Sequence, residues 1–413
     1  MTTNEPIIQS LLDVDFYKFT MGQLVFLRYR DVPVTYALTN RTRKVRLAET
    51  VDEAELRQEL DHARELRFNN SELHYLRGTN EYGDRMFCED YLQFLRNLQL
   101  PEYRLEEVDG SFRLEFEGAW AETIYWETIA LSVMSELYYR SLMRRMSRFE
   151  KDLVFARGRL RLAEKIRVLR QHRGIHFVDF GTRRRFSREW QHYVDRILTE
   201  ELPEQFVGTS STESALIHGL VPMGTSAHEL YMVLSGIMHE SDDRIRASHN
   251  RVLEDWWNLY GWGLSVAVTD TYGSEFFFRD MTEAQARLWK GLRHDSGDPF
   301  EFGERAIRFY RDVGIDPREK LLIFSDGLEL ATILELTERF QDRIKLSFGW
   351  GTNLTNDLGF DPISIVVKAV RANGQRTVKL SDNLAKATGT REDIERFRRI
   401  FGHEHERVES LRY

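Results

Sequence analysis

From about residue 170 the sequence alternates short apolar runs with amphipathic stretches, which restricts this part of the chain to a parallel sheet flanked by helices. The apolar runs fall at residues 176–178, 206–207, 221–223, 264–268, 291–292, 321–324 and 344–348. Parallel neighbours need a crossover, and the intervening stretches supply one. In the first, Phe186, Trp190, Val194, Ile197 and Leu198 share one helical face. About seven such units predict an α/β barrel of the TIM type over residues 146–360.

The two chain ends read differently. Residues 34–39 alternate with period two, placing Val34, Tyr36 and Leu38 on one strand face, and residues 112–116 do the same. Over residues 123–142, Ile129, Val133 and Leu137 recur at steps of four, as in a helix. Residues 1–145 therefore read as a separate α/β layer. Beyond the barrel, strand-like runs in residues 363–380 flank Asn373-Gly374, a pair suited to a type I′ turn. That hairpin lies in a C-terminal segment, 361–413, able to return to the N-terminal sheet and ending in a charged helical stretch.

Charge narrows the function. A net charge of −8 opposes a general nucleic-acid surface, which needs cations to displace counterions. No stretch approaches the ~18 apolar residues of a membrane span, and the opening residues lack a signal-peptide pattern. The single cysteine, Cys88, fits a reducing compartment, so a cytoplasmic protein is expected.

Polar clusters follow the apolar runs, and in a parallel barrel such loops converge on one catalytic face. They are Asp179-Phe180-Gly-Thr-Arg183-Arg-Arg185, Gly208-Thr209-Ser-Ser211, Gly224-Thr-Ser-Ala-His228-Glu229 and Thr269-Asp-Thr-Tyr-Gly273. Arg293-His-Asp295-Ser-Gly-Asp298, Ser325-Asp326-Gly327 and Gly349-Trp-Gly351-Thr352-Asn353 continue the series. Together they describe an anion site, although no Walker loop or Gly-x-Gly-x-x-Gly fingerprint is present.

Each cluster has a plain reading and a functional one. The triple arginine is either a solvated run or carries one guanidinium, Arg183, into the barrel mouth. Phe180 is core or a stacking face. Arg293 suits an anion, and Asp295 a sugar hydroxyl or Mg²⁺, while Asp298 reads as a helix cap. Asp326 is a second carboxylate or another cap. The turn around Gly351 is either simple punctuation or a close approach to phosphate. His228 caps a helix, or is a neutral nucleophile favoured by the helix N-terminus. Glu229 points elsewhere on that helix, and local sequence supplies no carboxylate to orient the ring.

The clusters, joined by Leu12-Asp13-Val-Asp15-Phe-Tyr17-Lys18-Phe-Thr20-Met21 and Val378-Lys-Leu-Ser381, resemble the nicotinate phosphoribosyltransferases, especially the bacterial form, almost end to end. The resemblance implies an irregular TIM-like barrel beside an α/β sandwich built from both chain ends. It implies ATP-dependent synthesis of nicotinate mononucleotide from nicotinate and phosphoribosyl pyrophosphate with Mg²⁺. His228 would be the phosphohistidine, acting with Arg293 and Asp295. Tyr17 and Phe180 would sandwich the pyridine ring, with Tyr17 drawn from a neighbouring subunit if the protein is a homodimer. Arg183, Thr209 and Asp326 would contact substrates, and Gly351 and Thr352 the 5′-phosphate. Ser211 stands where many relatives carry Asn. Two alternatives stay open: a nicotinamide-specific enzyme on this scaffold, and an aldolase-type barrel needing a buried lysine at a strand end.

Overall fold

The computed structural model describes residues 5–404. In chain order its strands begin with β1 (Pro33–Asn40), β2 (Asn80–Glu81), β3 (Asp84–Arg85), β4 (Tyr103–Val108) and β5 (Ser111–Ala119). Then come β6 (Phe177–Asp179), β7 (Phe206–Thr209), β8 (Val266–Val268), β9 (Gly291–His294), β10 (Leu321–Phe324) and β11 (Lys345–Trp350). The last two are β12 (Ile365–Ala372) and β13 (Gln375–Arg376).

β6 to β11 form one parallel sheet in the order β7-β6-β11-β10-β9-β8. β6 and β8 are buried along their full length, as expected where helices cover both faces of a parallel sheet. Six strands pair where about seven units were expected, and β7 and β8 end the ladder among the described residues. The missing unit is residues 221–223, which contribute one isolated bridge, Pro222 to Thr209. Thr209 donates to Val221 O at 3.3 Å and accepts from Met223 N at 2.9 Å, so the Pro222 nitrogen faces away from β7, where it has no N–H to offer a further strand.

The second sheet is antiparallel, in the order β13-β12-β1-β5-β4. β12 pairs with β1 from Val34↔Ala372 to Asn40↔Ile365, so the C-terminal segment does return to the N-terminal sheet. Asn373 and Gly374 both have positive φ, 49° and 78°, which gives the turn the hand a tight hairpin needs. The returning arm is short, because β13 holds two residues.

Between the sheets runs the helix Trp126–Arg144, with Trp126 and every residue from Thr128 to Tyr139 buried. The helix Arg391–Phe401 closes the far side, where Phe401 stacks on Tyr272 with ring centroids 3.9 Å apart. The expected continuation of that charged stretch past residue 404 lies outside the described residues. No helix among those described is long and apolar enough to cross a membrane.

Candidate active site

The C-terminal ends of the parallel strands open on a cavity whose far wall is β12 of the other sheet. Seven lysine and arginine side chains line it against five carboxylates, leaving a surplus of positive charge for an anionic ligand. A wider groove between the helices Glu53–Glu65 and Arg148–Leu169 is lined by ion-pairing surface chains such as Arg144 and Glu55, and gathers no comparable set.

Tyr17 and Phe180 both line the cavity. Two glycines make room for them. A Cβ on Gly349 would sit 2.3 Å from the Phe180 ring, and one on Gly224 would sit 2.6 Å from the backbone nitrogen of Tyr17. The Tyr17 hydroxyl donates to Glu127 at 3.1 Å, and the Arg183 guanidinium lies over the Tyr17 ring, 5.3 Å from its centroid.

The three successive arginines divide as their alternating directions require. Arg183 and Arg184 line the cavity, and Arg183 is held by Asp15 at 2.8 Å and Glu127 at 3.3 Å. Arg185 turns into the core and makes a bidentate pair with Asp13, at 2.6 and 2.7 Å.

His228 opens the helix His228–Ile237 and borders the cavity. Its Nδ1 is 2.9 Å from Thr271 Oγ1. Its Nε2 faces Asp295 Oδ2 at 2.8 Å, Lys379 Nζ at 3.0 Å and Asp270 Oδ1 at 3.6 Å. Burial, and then the Lys379 ammonium, push the imidazole down to about 4, so the ring is neutral at physiological pH. Two tautomers fit these neighbours. Nε2–H can donate to Asp295, or Nδ1–H can donate to Thr271 while the Nε2 lone pair accepts from Lys379. The second leaves a lone pair on the cavity side, because Asp295 and Lys379 line the cavity and Thr271 does not.

The remaining expected residues separate into those the fold brings here and those it does not. Arg293, Asp295, Asp326, Gly351 and Thr352 all line the cavity. Arg293 Nε is buried without a hydrogen-bond partner. Asp326 is no helix cap, since Glu329 holds that position for the helix Leu330–Phe340; it pairs instead with Lys386 at 2.5 Å. Asp298 does cap its helix, accepting from the backbone nitrogens of Phe300 and Glu301. Thr209 is not at the cavity wall: it is buried and donates to Asp179 at 3.0 Å, while its neighbour Ser210 lines the cavity. Glu229 does point away from the His228 ring. It accepts from Lys18 at 2.5 Å and from the Trp120 indole at 2.8 Å, and Lys18 also meets Glu127 at 2.5 Å.

Several site residues escaped the sequence reading. Asp270 and Thr271 sat inside a recognised strand-end cluster but had no sign of their target. Lys379 stood in the string Val378–Ser381 with no sign of its partner, and Lys386 and Arg41 had no local signal. Long-range packing places Lys379: its neighbour Leu380 donates from its backbone nitrogen to Thr271 O at 2.8 Å, and Asp382 N to Ser296 Oγ at 3.1 Å.

His228, Asp270 and Asp295 have the mutual spacing of a metal site. The set suits a resident Mg²⁺ poorly: that ion wants oxygen ligands, and Lys379 Nζ already stands 3.2 Å from Asp270 and 3.9 Å from Asp295. Any Mg²⁺ here fits better as part of a substrate chelate.

A parallel α/β sheet with a cation-rich cavity at its strand ends, two aromatic rings in its lining and a neutral histidine has the make-up of an enzyme site for anionic ligands. Residues 12–135 match the N-terminal domain of the nicotinate phosphoribosyltransferases, and residues 175–405 match the nicotinate phosphoribosyltransferase family proper. The chain belongs to that family. A crystal structure of nicotinate phosphoribosyltransferase from Porphyromonas gingivalis is 32% identical, with a TM-score of 0.85 over 96% of this chain and 100% of that one. The Vibrio cholerae nicotinate phosphoribosyltransferase is 33% identical, also at 0.85, over 98% of this chain and 96% of that one.

Proposed function

We propose that the protein is a cytosolic nicotinate phosphoribosyltransferase that joins nicotinate to the ribose of phosphoribosyl pyrophosphate, with ATP consumed through phosphorylation of His228. The observation that carries this reading is the single cavity holding both the Tyr17–Phe180 slot and the His228–Asp295–Lys379 group. Nicotinate stacks between the two rings with its carboxylate toward Arg183. The pyridine nitrogen attacks ribose C1 as pyrophosphate departs with Mg²⁺, and the cavity's arginines and lysines take up the developing negative charge. Arg293 meets a substrate anion, Asp295 a ribose hydroxyl, and the turn at Gly351 and Thr352 the 5′-phosphate.

For the ATP step, the Nε2 lone pair of His228 attacks the γ-phosphorus and ADP leaves. Nδ1–H stays on Thr271, and Lys379 offsets the charge gained. Two bonded carboxylates join this event to the ring slot: Glu229, next to His228, holds Lys18, and Lys18 holds Glu127 beneath Tyr17 and Arg183. Phosphorylation thereby changes how tightly the slot closes.

The nicotinamide-specific alternative is disfavoured by a cation, Arg183, beside the ring slot, because an amide gains little from it. The aldolase alternative fares worse. Lys290 and Lys345 sit at strand starts, and Lys290 is engaged with the exposed rings of Tyr82 and Trp262. The test supplies nicotinate or nicotinamide with phosphoribosyl pyrophosphate, Mg²⁺ and ATP, and follows mononucleotide and ADP. Equal or faster use of nicotinamide would sink the assignment.

A further inference from the structure

Three lysines line the cavity, and they are not equivalent. Lys379 faces Asp270 at 3.2 Å and Lys386 faces Asp326 at 2.5 Å. Lys368 has no carboxylate within ion-pair distance among the described residues, and its amine donates one hydrogen bond, 3.2 Å to Thr388 Oγ1. It sits on β12, whose Ile365 to Ala369 line the cavity; there Val367 and Ala369 are buried and Lys368 is half-buried. A lysine so placed has lost much of its water without gaining a counter-ion. Burial first, and then repulsion from Lys379 and Arg41, hold its proton affinity well below the lysine range. An amine in that state is a nucleophile with its lone pair free.

We propose that Lys368 is a condensation site for small aldehydes that carry a phosphate, which it holds inside the cavity as an imine. The Nζ lone pair attacks the aldehyde carbon, forming the C–N bond as the carbonyl π pair moves to oxygen. Both amine protons then leave with that oxygen as water, and a C=N bond remains, with no change of oxidation state. The phosphate is the selecting group, because the cavity carries surplus positive charge and Arg293 Nε is buried there without a partner. The inference depends on this charge and this amine, so it stands apart from the choice of nicotinate as substrate.

Pyridoxal 5′-phosphate is the probe. The full chain is incubated with it near neutral pH, reduced with borohydride, digested and mapped by mass spectrometry. Lys368 is expected to be the main labelled lysine, reacting at least about tenfold faster than a solvent-exposed lysine such as Lys44, since each unit of depressed pKa raises the free-amine fraction about tenfold. Labelling at Lys368 should reach its plateau at a lower pH than the ordinary lysine range. Inorganic pyrophosphate should suppress the Lys368 adduct, and Lys368→Arg should abolish it. Dominant labelling of Lys379, Lys386 or surface lysines in the unaltered protein overturns the proposal, and so does an adduct that pyrophosphate leaves untouched. Neither result bears on whether nicotinate is consumed, which the turnover assay decides separately.

Discussion

Lys379 Nζ stands 3.0 Å from His228 Nε2, although 151 residues of chain separate them. After burial, the ammonium is the next cause of the depressed imidazole pKa, and on the proposed ATP step it would compensate a phosphoryl group placed on the ring. Lys379→Met should therefore separate two readouts. The imidazole pKa, followed by NMR, should rise from about 4 toward an ordinary histidine value. Phosphoenzyme formed from γ-labelled ATP should fall about 100-fold, the scale of losing one charge-stabilising donor. An unchanged labelling rate would mean that Lys379 plays no part in the ATP step.

Stability should carry the mark of the same ring. His228 titrates at about 4 in the folded protein and near about 6.5 when unfolded. Between those values the unfolded chain binds a proton that the folded one refuses, so stability rises with pH across that window and levels off above it. His228→Asn should remove this contribution and, in the same variant, phosphoenzyme formation. Urea midpoints collected through the window test it: parallel pH profiles for both proteins would contradict the assignment.

Lys18 is buried between Glu127 and Glu229, 2.5 Å from each. Lys18→Met leaves Glu229 without a cation and Glu127 with Arg183 alone, and should cost about 3–5 kcal/mol in chemical denaturation. Adding Glu229→Gln should restore part of that loss, because the stranded charge is removed. A double variant no more stable than the single one would show that the pair does not act as a unit.

Gly349→Ala tests the ring slot without touching a polar group. The new Cβ would fall 2.3 Å from the Phe180 ring, which must then swing out of place. Losing an aromatic contact worth about 1–1.5 kcal/mol should raise the KM for nicotinate about tenfold. The KM for phosphoribosyl pyrophosphate should hardly move, and equal changes in both would argue against a separate ring site.

Arg293→Lys keeps the charge and removes the planar fork. Nε has no partner among the described residues, and the proposed role gives its hydrogen bond to the substrate anion. At about 1.5–3 kcal/mol for a charge-assisted bond, kcat/KM for phosphoribosyl pyrophosphate should drop about 10- to 100-fold. Steady-state rates at saturating nicotinate check this.

Much of this architecture was legible in the residues. Strand–helix periodicity located β6 to β11, and Asn373-Gly374 marked the hairpin. The strand-end clusters contained Arg183, His228, Arg293, Asp295 and Asp326 because parallel topology puts loop chemistry at one edge. The failures have physical causes. Residues 221–223 are apolar enough for a strand, yet they add only the bridge at Pro222, so six strands pair where about seven units were expected. Thr209 lies one residue from the cavity lining, and the alternation of a strand turned its hydroxyl to Asp179 instead. The partners of His228 were illegible because their positions depend on which strands pair, and that is settled by long-range packing.

The placing of β12 beside β1 also sets an order in time. Lys368 and Ile365 to Ala369 form one wall of the cavity, and Lys379 and Lys386 complete its charge. During synthesis the N-terminal sheet and all six parallel strands leave the ribosome before those residues do. A chain that stops short of β12 therefore carries Tyr17, Phe180 and His228 with a wall of the cavity missing. The strand that finishes the first sheet also finishes the cavity, and only a chain that reaches Lys386 carries the full set of lining residues.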